Sequence, residues 1–157
     1  MDKIIFQRVT DCEYPSLFPI YKKYLKPTIE EALGWDELYQ QQRFNQSYQK
    51  EWFDWIMYNG ERLGIICTKP DAIRSTIHIH LLIVFEKYQN KGVGSAVMKC
   101  YQKHYSDAVT KSCLSAFKVN KSVINFYLSL GYQIVREDEH FVEMERSLCF
   151  SGYMGES

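Results

Sequence analysis

The chain has 157 residues, of which 46% are hydrophobic and 24% are charged, as in an ordinary globular protein with one substantial core. Lysine plus arginine and aspartate plus glutamate each number 19, so no basic surplus attracts nucleic acid. No apolar run approaches the roughly 20 residues that cross a bilayer, and the N-terminal segment lacks the apolar core of a signal peptide. We therefore expect a cytoplasmic, single-domain protein over residues 1–157 that binds neither nucleic acid nor membranes.

The first third of the chain predicts one strand followed by two helices. Residues 4–9 have the composition of a strand. Two T-x-x-E capping boxes, at residues 10–13 and 28–31, predict two helix starts. Pro19 should kink or shorten the first helix, and a break near Gly34 should interrupt the second, which we expect to end near residue 44.

The middle of the chain predicts three strands joined by turns. Residues 52–58 and 62–68 flank Asn59-Gly60, a strong two-residue hairpin signal. Residues 69–71 predict a second turn, and residues 75–84 predict the next strand.

The last third predicts two helices and three further strands. One amphipathic helix begins at Gly92, and a second is capped by Ser122 and ended by Gly131. The strands cover residues 109–117, 132–136 and 141–148. The order β-α-α-β-β-β-α-β-α-β-β predicts an α+β fold with a mixed sheet covered by helices.

A short glycine-containing loop joins the strand at residues 75–84 to the next helix. Its sequence is Gln89-Asn90-Lys91-Gly92-Val93-Gly94. Backbone N–H groups and the positive end of a helix dipole favour phosphate there, and glycine lets a pyrophosphate approach the backbone. The two glycines could also serve a tight turn only.

Two motifs together resemble the GNAT superfamily, whose members transfer acyl groups from coenzyme A, usually to amines. The first is the pattern Q/R-x-x-G-x-G/A, present at residues 89–94. The second is an asparagine followed by a helix ending F-Y-x-x-x-G-F/Y, present as Asn120 and residues 126–132. The resemblance spans almost the whole chain and implies a mixed, mostly antiparallel central sheet flanked by helices.

The resemblance also implies acetyl-CoA as co-substrate and assigns its contacts. The backbone of Leu82, Ile83 and Val84 would pair with the pantetheine arm, as an added strand pairs with a sheet edge. Asn120 would contact the coenzyme further along. The pyrophosphate would be held by the main chain of Gln89, Asn90, Lys91, Gly92, Val93, Gly94 and Ser95.

Tyr127 matches a tyrosine that many family members use as general acid. A phenol suits this task because the departing coenzyme A thiolate needs a proton. Tyr127 also lies on the apolar stripe of its predicted helix, so a packing role stays open.

His78 and His80 lie two residues apart on one strand, so both should point to the same face. A histidine is suited to take the proton that an amine nucleophile must lose. The pair is similar in position to one in arylalkylamine N-acetyltransferases. A structural role stays open, and a metal site is not expected because no third ligand is evident.

Acidic and aromatic residues between the first helices offer an acceptor site. Glu31 and Trp35 would suit a cationic amine, although capping and a solvated helix face explain the same residues.

The sequence therefore predicts an acetyl-CoA-dependent N-acetyltransferase in which a primary amine attacks the thioester directly. The acceptor would be a small molecule or a peptide amine, and a homodimer is possible. Two alternatives are a protein N-terminal or lysine acetyltransferase and a catalytically silent acyl-CoA-binding module. Cys100 and Cys113 stay open as acyl carriers.

Overall fold

In residues 3–105 and 109–148, which the computed structural model describes, a seven-stranded sheet is flanked by four α-helices. The strands are β1 Ile5–Arg8, β2 Phe53–Tyr58, β3 Glu61–Asp71, β4 Thr76–Val84, β5 Lys111–Phe117, β6 Gln133–Glu137 and β7 Phe141–Ser147. The helices are α1 Leu17–Leu33, α2 Glu37–Ser47, α3 Val93–Tyr105 and α4 Lys121–Ser129. None of these helices is long and apolar enough to cross a membrane.

The sheet has the order β1-β2-β3-β4-β5-β7-β6. Every neighbouring pair is antiparallel except β4 and β5, which are parallel. Parallel strands need a crossover connection, and α3 supplies it. The predicted α+β class, with a mixed and mostly antiparallel sheet, is confirmed.

Helix α1 is continuous, so the second helix start predicted at residues 28–31 is wrong. Pro19 lies in the first turn, where N–H groups have no intrahelical partner and proline is tolerated. Pro27 lies inside the helix and removes one hydrogen bond. The helix persists because Tyr21 and Ile29, on either side of Pro27, are buried in the core against the sheet.

The capping box at residues 10–13 closes a turn and does not begin α1. The Glu13 carboxylate accepts a hydrogen bond from the Thr10 N–H at 3.0 Å, and a short 3₁₀ helix, Tyr14–Ser16, follows before α1 begins. After the break near Gly34, Asp36 caps α2 by accepting a hydrogen bond from the Tyr39 N–H.

The hairpin between β2 and β3 forms as predicted, with positive φ at Asn59 and Gly60. The turn predicted at residues 69–71 is wrong, because β3 continues through Pro70 to Asp71. Strand β2 pairs with β3 only as far as Cys67. Beyond that point β3 has one unpaired edge, where proline is tolerated.

The two helices of the second half pack closely on each other. The side chain that caps α4 is Asn120, accepting from the Val123 N–H, and not Ser122. Gly131 follows α4 with φ of 95°, as expected of a residue that ends a helix. Gly94 permits the contact with α4, because a Cβ there would lie 3.2 Å from the Phe126 ring.

Candidate active site

Strands β4 and β5 pair over only part of their length. Their register runs from Thr76 opposite Lys111 to Ile79 opposite Leu114. Beyond that point β4 continues to Val84 and β5 to Phe117 without pairing to each other. The two strands therefore diverge and leave peptide groups on facing edges without ladder partners.

A cleft of about 570 Å³ lies where the strands diverge. It contains Tyr127 of α4, both histidines of β4, and the three residues expected to meet the pantetheine arm. Gln89 and Asn120 also line it. The described residues lining the cleft are Tyr21, Tyr24, Leu25, Thr28, Ile29, Leu33, Tyr39, Gln40, Arg43, Tyr48, His78, Ile79, His80, Leu81, Leu82, Ile83, Val84, Gln89, Leu114, Ser115, Ala116, Phe117, Asn120, Val123, Tyr127 and Phe141.

The loop after β4 has backbone features that favour the binding of an anion. The Gln89 side chain donates to the Val84 carbonyl at 2.8 Å and fixes the loop to the strand end. Asn90 and Gly92 have φ of 63° and 79°, and α3 begins at Val93. Left-handed residues before a helix turn successive N–H groups toward one side, and the first helical N–H groups have no intrahelical partner.

Lys91 and Asn90 are exposed in this loop, whereas Val93, Gly94 and Ser95 are half-buried in the first turn of α3. Asn120 has its Oδ1 atom engaged in capping α4, at 3.4 Å from the Val123 nitrogen. Its side-chain NH₂ group is the part that chemistry leaves for a ligand.

A β-bulge at His80 sets which side chains of β4 face the cleft. Cys67 of β3 pairs with Leu81, whereas the next residue, Thr68, pairs with Ile79, so His80 is the extra residue. A bulge reverses the alternation of a strand. Ile77 and Ile79 accordingly pack with residues of α3 or α4, and Leu81 and Ile83 pack with residues of α1 and α2.

The two histidines are in contact with each other and with an aromatic wall. Their ring centroids are 4.4 Å apart. The His80 ring stacks on Trp52 at 5.1 Å with an interplanar angle of 7° and lies 5.8 Å from Tyr48. Among the described residues, the buried Nε2 atom of His80 has no hydrogen-bond partner.

Burial lowers the pKa of both histidines. The pKa of His80 falls from 6.5 to about 4, first by burial, then by the positive charge of His78 when it is protonated and by that of Lys69. The pKa of His78 is lowered by burial and Lys69, against an opposing effect of Glu143. Both imidazoles are therefore neutral at pH 7 and can accept a proton. Within the described ranges, no group of three or more His, Cys, Asp and Glu side chains is arranged to hold a metal ion.

Tyr127 is both packed and open to the cleft. Its side chain is 6% exposed and its ring lies 5.4 Å from that of Tyr132. Burial, with a smaller effect of Tyr132, raises the pKa of Tyr127. The phenol therefore keeps its proton at neutral pH.

Glu31 and Trp35 are not among the described residues that line the cleft. The Trp35 ring stacks on Phe18 at 6.5 Å, and its N–H donates to Glu37 at 3.0 Å.

The α1 and α2 wall of the cleft contains two polar residues that the sequence analysis missed, Gln40 and Arg43. Gln40 precedes the buried Phe44 by one helical turn. That spacing was the available signal, since it puts a polar residue on the inward face of α2.

A family model described as "Acetyltransferase (GNAT) family" matches residues 14–132. The chain belongs to this family of acetyltransferases. No match was found among curated protein sequences.

Solved structures share the fold over nearly the whole chain. PaiA N-acetyltransferase from Thermoplasma acidophilum, in complex with coenzyme A, has a TM-score of 0.70 at 16% identity and covers 92% of this chain and 99% of its own. The ribosomal-protein-S18-alanine N-acetyltransferase from Escherichia coli has a TM-score of 0.66 at 17% identity, covering 97% of both chains. Arabidopsis thaliana Naa50, with the bisubstrate analogue CoA-Ac-MVNAL, has a TM-score of 0.64 at 19% identity, covering 92% of this chain and 99% of its own.

Proposed function

We propose that the protein is an acetyl-CoA-dependent N-acetyltransferase that acts on a primary amine in a ternary complex. The observation that carries this proposal is the divergence of β4 and β5 into a cleft lined by both His80 and Tyr127. Family membership supports the same class of reaction.

Coenzyme A fits the cleft through backbone groups. The pantetheine arm carries amide groups, which can pair with the unpaired edge of β4 at Leu82, Ile83 and Val84. The pyrophosphate fits the loop from Gln89 to Ser95, where N–H groups converge at the start of α3. Asn120, which also lines the cleft, supplies a further donor.

The reaction then needs one proton acceptor and one proton donor. The amine nitrogen attacks the thioester carbonyl and forms the new C–N bond, while the amine proton passes to His80, directly or through water and His78. The C–S bond breaks, and the departing sulfur takes the Tyr127 proton. Exchange with solvent returns the proton to Tyr127 and removes the one on the imidazole.

A peptide amine is the second candidate acceptor. It is favoured by the likeness in fold to Naa50, solved with a peptide-bearing bisubstrate analogue, and to a protein-alanine acetyltransferase. The position of the histidine pair in the sequence resembles that in arylalkylamine N-acetyltransferases, but this resemblance does not establish the acceptor. A silent binding module has no use for an unpartnered imidazole in the cleft.

Thiol release from acetyl-CoA, measured against a panel of small amines and short peptides, tests the proposal. We expect amine-dependent release, with the acetylated amine identified by mass spectrometry. A protein that binds coenzyme A but acetylates no member would support the silent module. A protein that does not bind coenzyme A would contradict the proposal altogether.

A further inference from the structure

The wall of the cleft formed by α1 and α2 has positive and not negative charge. Among the described residues lining the cleft, Arg43 is the sole side chain with a permanent charge, and no aspartate, glutamate or lysine is present. A protonated amine therefore meets no carboxylate on this wall, whereas an anionic group meets a guanidinium.

Arg43 lines the same cleft as His80, the candidate proton acceptor. Burial raises the pKa of Tyr21 and of Tyr48, and the positive charge of Arg43 opposes this rise; the two tyrosine rings are 6.1 Å apart. The Tyr48 ring in turn lies 5.8 Å from the His80 ring. Arg43 is exposed, and among residues 3–105 and 109–148 no carboxylate lies within ion-pair distance of it. Its charge is therefore available to a ligand.

Gln40 provides a second, independent sign of a ligand. This residue is 7% exposed and lines the cleft one helical turn before Arg43. Its Oε1 atom is buried without a hydrogen-bond partner among the described residues. Buried polar atoms normally have a hydrogen-bond partner, so a donor group of a ligand would supply the partner that this oxygen lacks.

We infer that the acceptor is a primary amine that also carries a carboxylate, bound by Arg43, with an N–H group of the acceptor donating to Gln40. This inference rests on the proposed function and names its substrate class. The guanidinium of Arg43 matches the charge of a carboxylate and can bind it through two parallel N–H donors. The apolar residues Leu25, Ile29 and Leu33 also line the cleft, which favours an acceptor with a hydrophobic side chain. The inferred acceptor therefore carries a carboxylate in addition to the amine, unlike the purely cationic amine expected from Glu31 and Trp35.

Matched sets of acceptors test this inference. Phenylalanine, phenylalaninamide and phenethylamine share one amine and one ring and differ in the carboxylate, as do leucine, leucinamide and 3-methylbutylamine. Acetyl transfer to each is measured as kcat/KM, and binding to the protein loaded with coenzyme A is measured by calorimetry. We expect both kcat/KM and the binding constant of the acid to exceed those of its amide by about 10- to 100-fold, as for a hydrogen bond between charged groups.

Variants locate the preference. Arg43→Met should bring the ratio of acid to amide close to one while activity on the amide persists, and Arg43→Lys should keep part of the preference. Arg74→Met is the matched control, since Arg74 is an exposed arginine paired with Asp71 and absent from the cleft wall. Gln40→Leu should weaken the binding of every acceptor in a set.

The outcomes separate this inference from the proposed function. Amide or plain amine acceptors that equal or exceed the acids, in both transfer and binding, overturn the carboxylate while leaving acetyl transfer intact. An unchanged ratio in Arg43→Met overturns the role of Arg43. If the wild-type protein does not bind coenzyme A, by contrast, that result contradicts the proposed function itself.

Discussion

Tyr127 belongs to the core and to the cleft at once, which makes a conservative substitution informative. Tyr127→Phe retains the ring that packs on Tyr132 and removes only the hydroxyl group. We expect turnover to fall by about 10²- to 10⁴-fold, the usual loss on removing a general acid. Coenzyme A affinity, measured by calorimetry, should stay nearly unchanged.

The matched control is Tyr132→Phe, because Tyr132 is buried beside Tyr127 and its hydroxyl bonds to Ser112 outside the cleft wall. Wild-type turnover in Tyr127→Phe, with the chemical step shown to limit the rate, would reduce Tyr127 to a packing residue.

The histidine pair predicts the acid limb of the pH profile. A base acts when it is unprotonated, so activity should be lost as the pH falls through the pKa of the free protein. Burial lowers this pKa toward 4 for His80, and Lys69 from β3 acts in the same direction, whereas Glu143 from β7 raises that of His78. We expect the limb in kcat/KM to lie below 6.5, not at the value of an exposed histidine.

Replacing both histidines with glutamine should remove that limb, and any limb due to the acceptor's own ammonium group should remain. His104→Gln is the control, because His104 is exposed on α3 and absent from the cleft wall. If the double variant kept both the turnover and the profile of the wild type, the pair would be structural.

At the scale of single elements, the loop between β4 and α3 depends on the left-handed backbone of Gly92. Gly60, in the β2–β3 turn, has a similar φ of 80°, and a Cβ at either glycine meets no atom within 4 Å. Alanine should therefore strain both sites alike, by about 1–2 kcal/mol. Only Gly92→Ala should also weaken coenzyme A binding.

Chemical denaturation and calorimetry of the two variants measure the comparison. Equal losses of stability in the two variants, together with equal coenzyme A affinities, would contradict the placement of the pyrophosphate in this loop.

Gly64 is the second element-scale constraint, because it lets β3 approach the half of β4 that forms the cleft. A Cβ there would lie 2.0 Å from the Ile83 carbonyl oxygen, so the strands must shift to admit it. We expect Gly64→Ala to lower the free energy of unfolding by at least about 1–3 kcal/mol. Urea denaturation measures this, and a midpoint equal to that of the wild type would contradict it.

At the scale of the whole molecule, coenzyme A should stabilise the folded state. A ligand that binds only the folded chain adds about 2.7 kcal/mol at a concentration of 100 Kd. The melting temperature should therefore rise with acetyl-CoA concentration. Pantetheine, which lacks the phosphates, should raise the melting temperature less than acetyl-CoA at equal concentration. An equal rise would mean that contacts outside the loop between β4 and α3 supply most of the binding free energy.

Local chemistry explains which parts of this fold were predictable. Asn59-Gly60 and Gly131 take positive φ, a preference that residue type alone encodes. Packing overrides local signals elsewhere: α1 continues past Pro27 and β3 past Pro70. The bulge at His80 and the wall formed by Gln40 and Arg43 depend on contacts between distant segments, which no single motif carries.

The divergence of β4 and β5 has a consequence for the pairing of this sheet with a strand of another chain. An unpaired strand edge on the outside of a sheet invites a strand of another chain and promotes aggregation. Here the unpaired edges lie inside the sheet, and residues of α1, α2 and α4 line the space between them. A slender molecule with amide groups can reach these edges, whereas a strand of a second folded chain cannot. The fold thus leaves two strand edges open to a small ligand and protects the same edges from pairing with a strand of another copy of the chain.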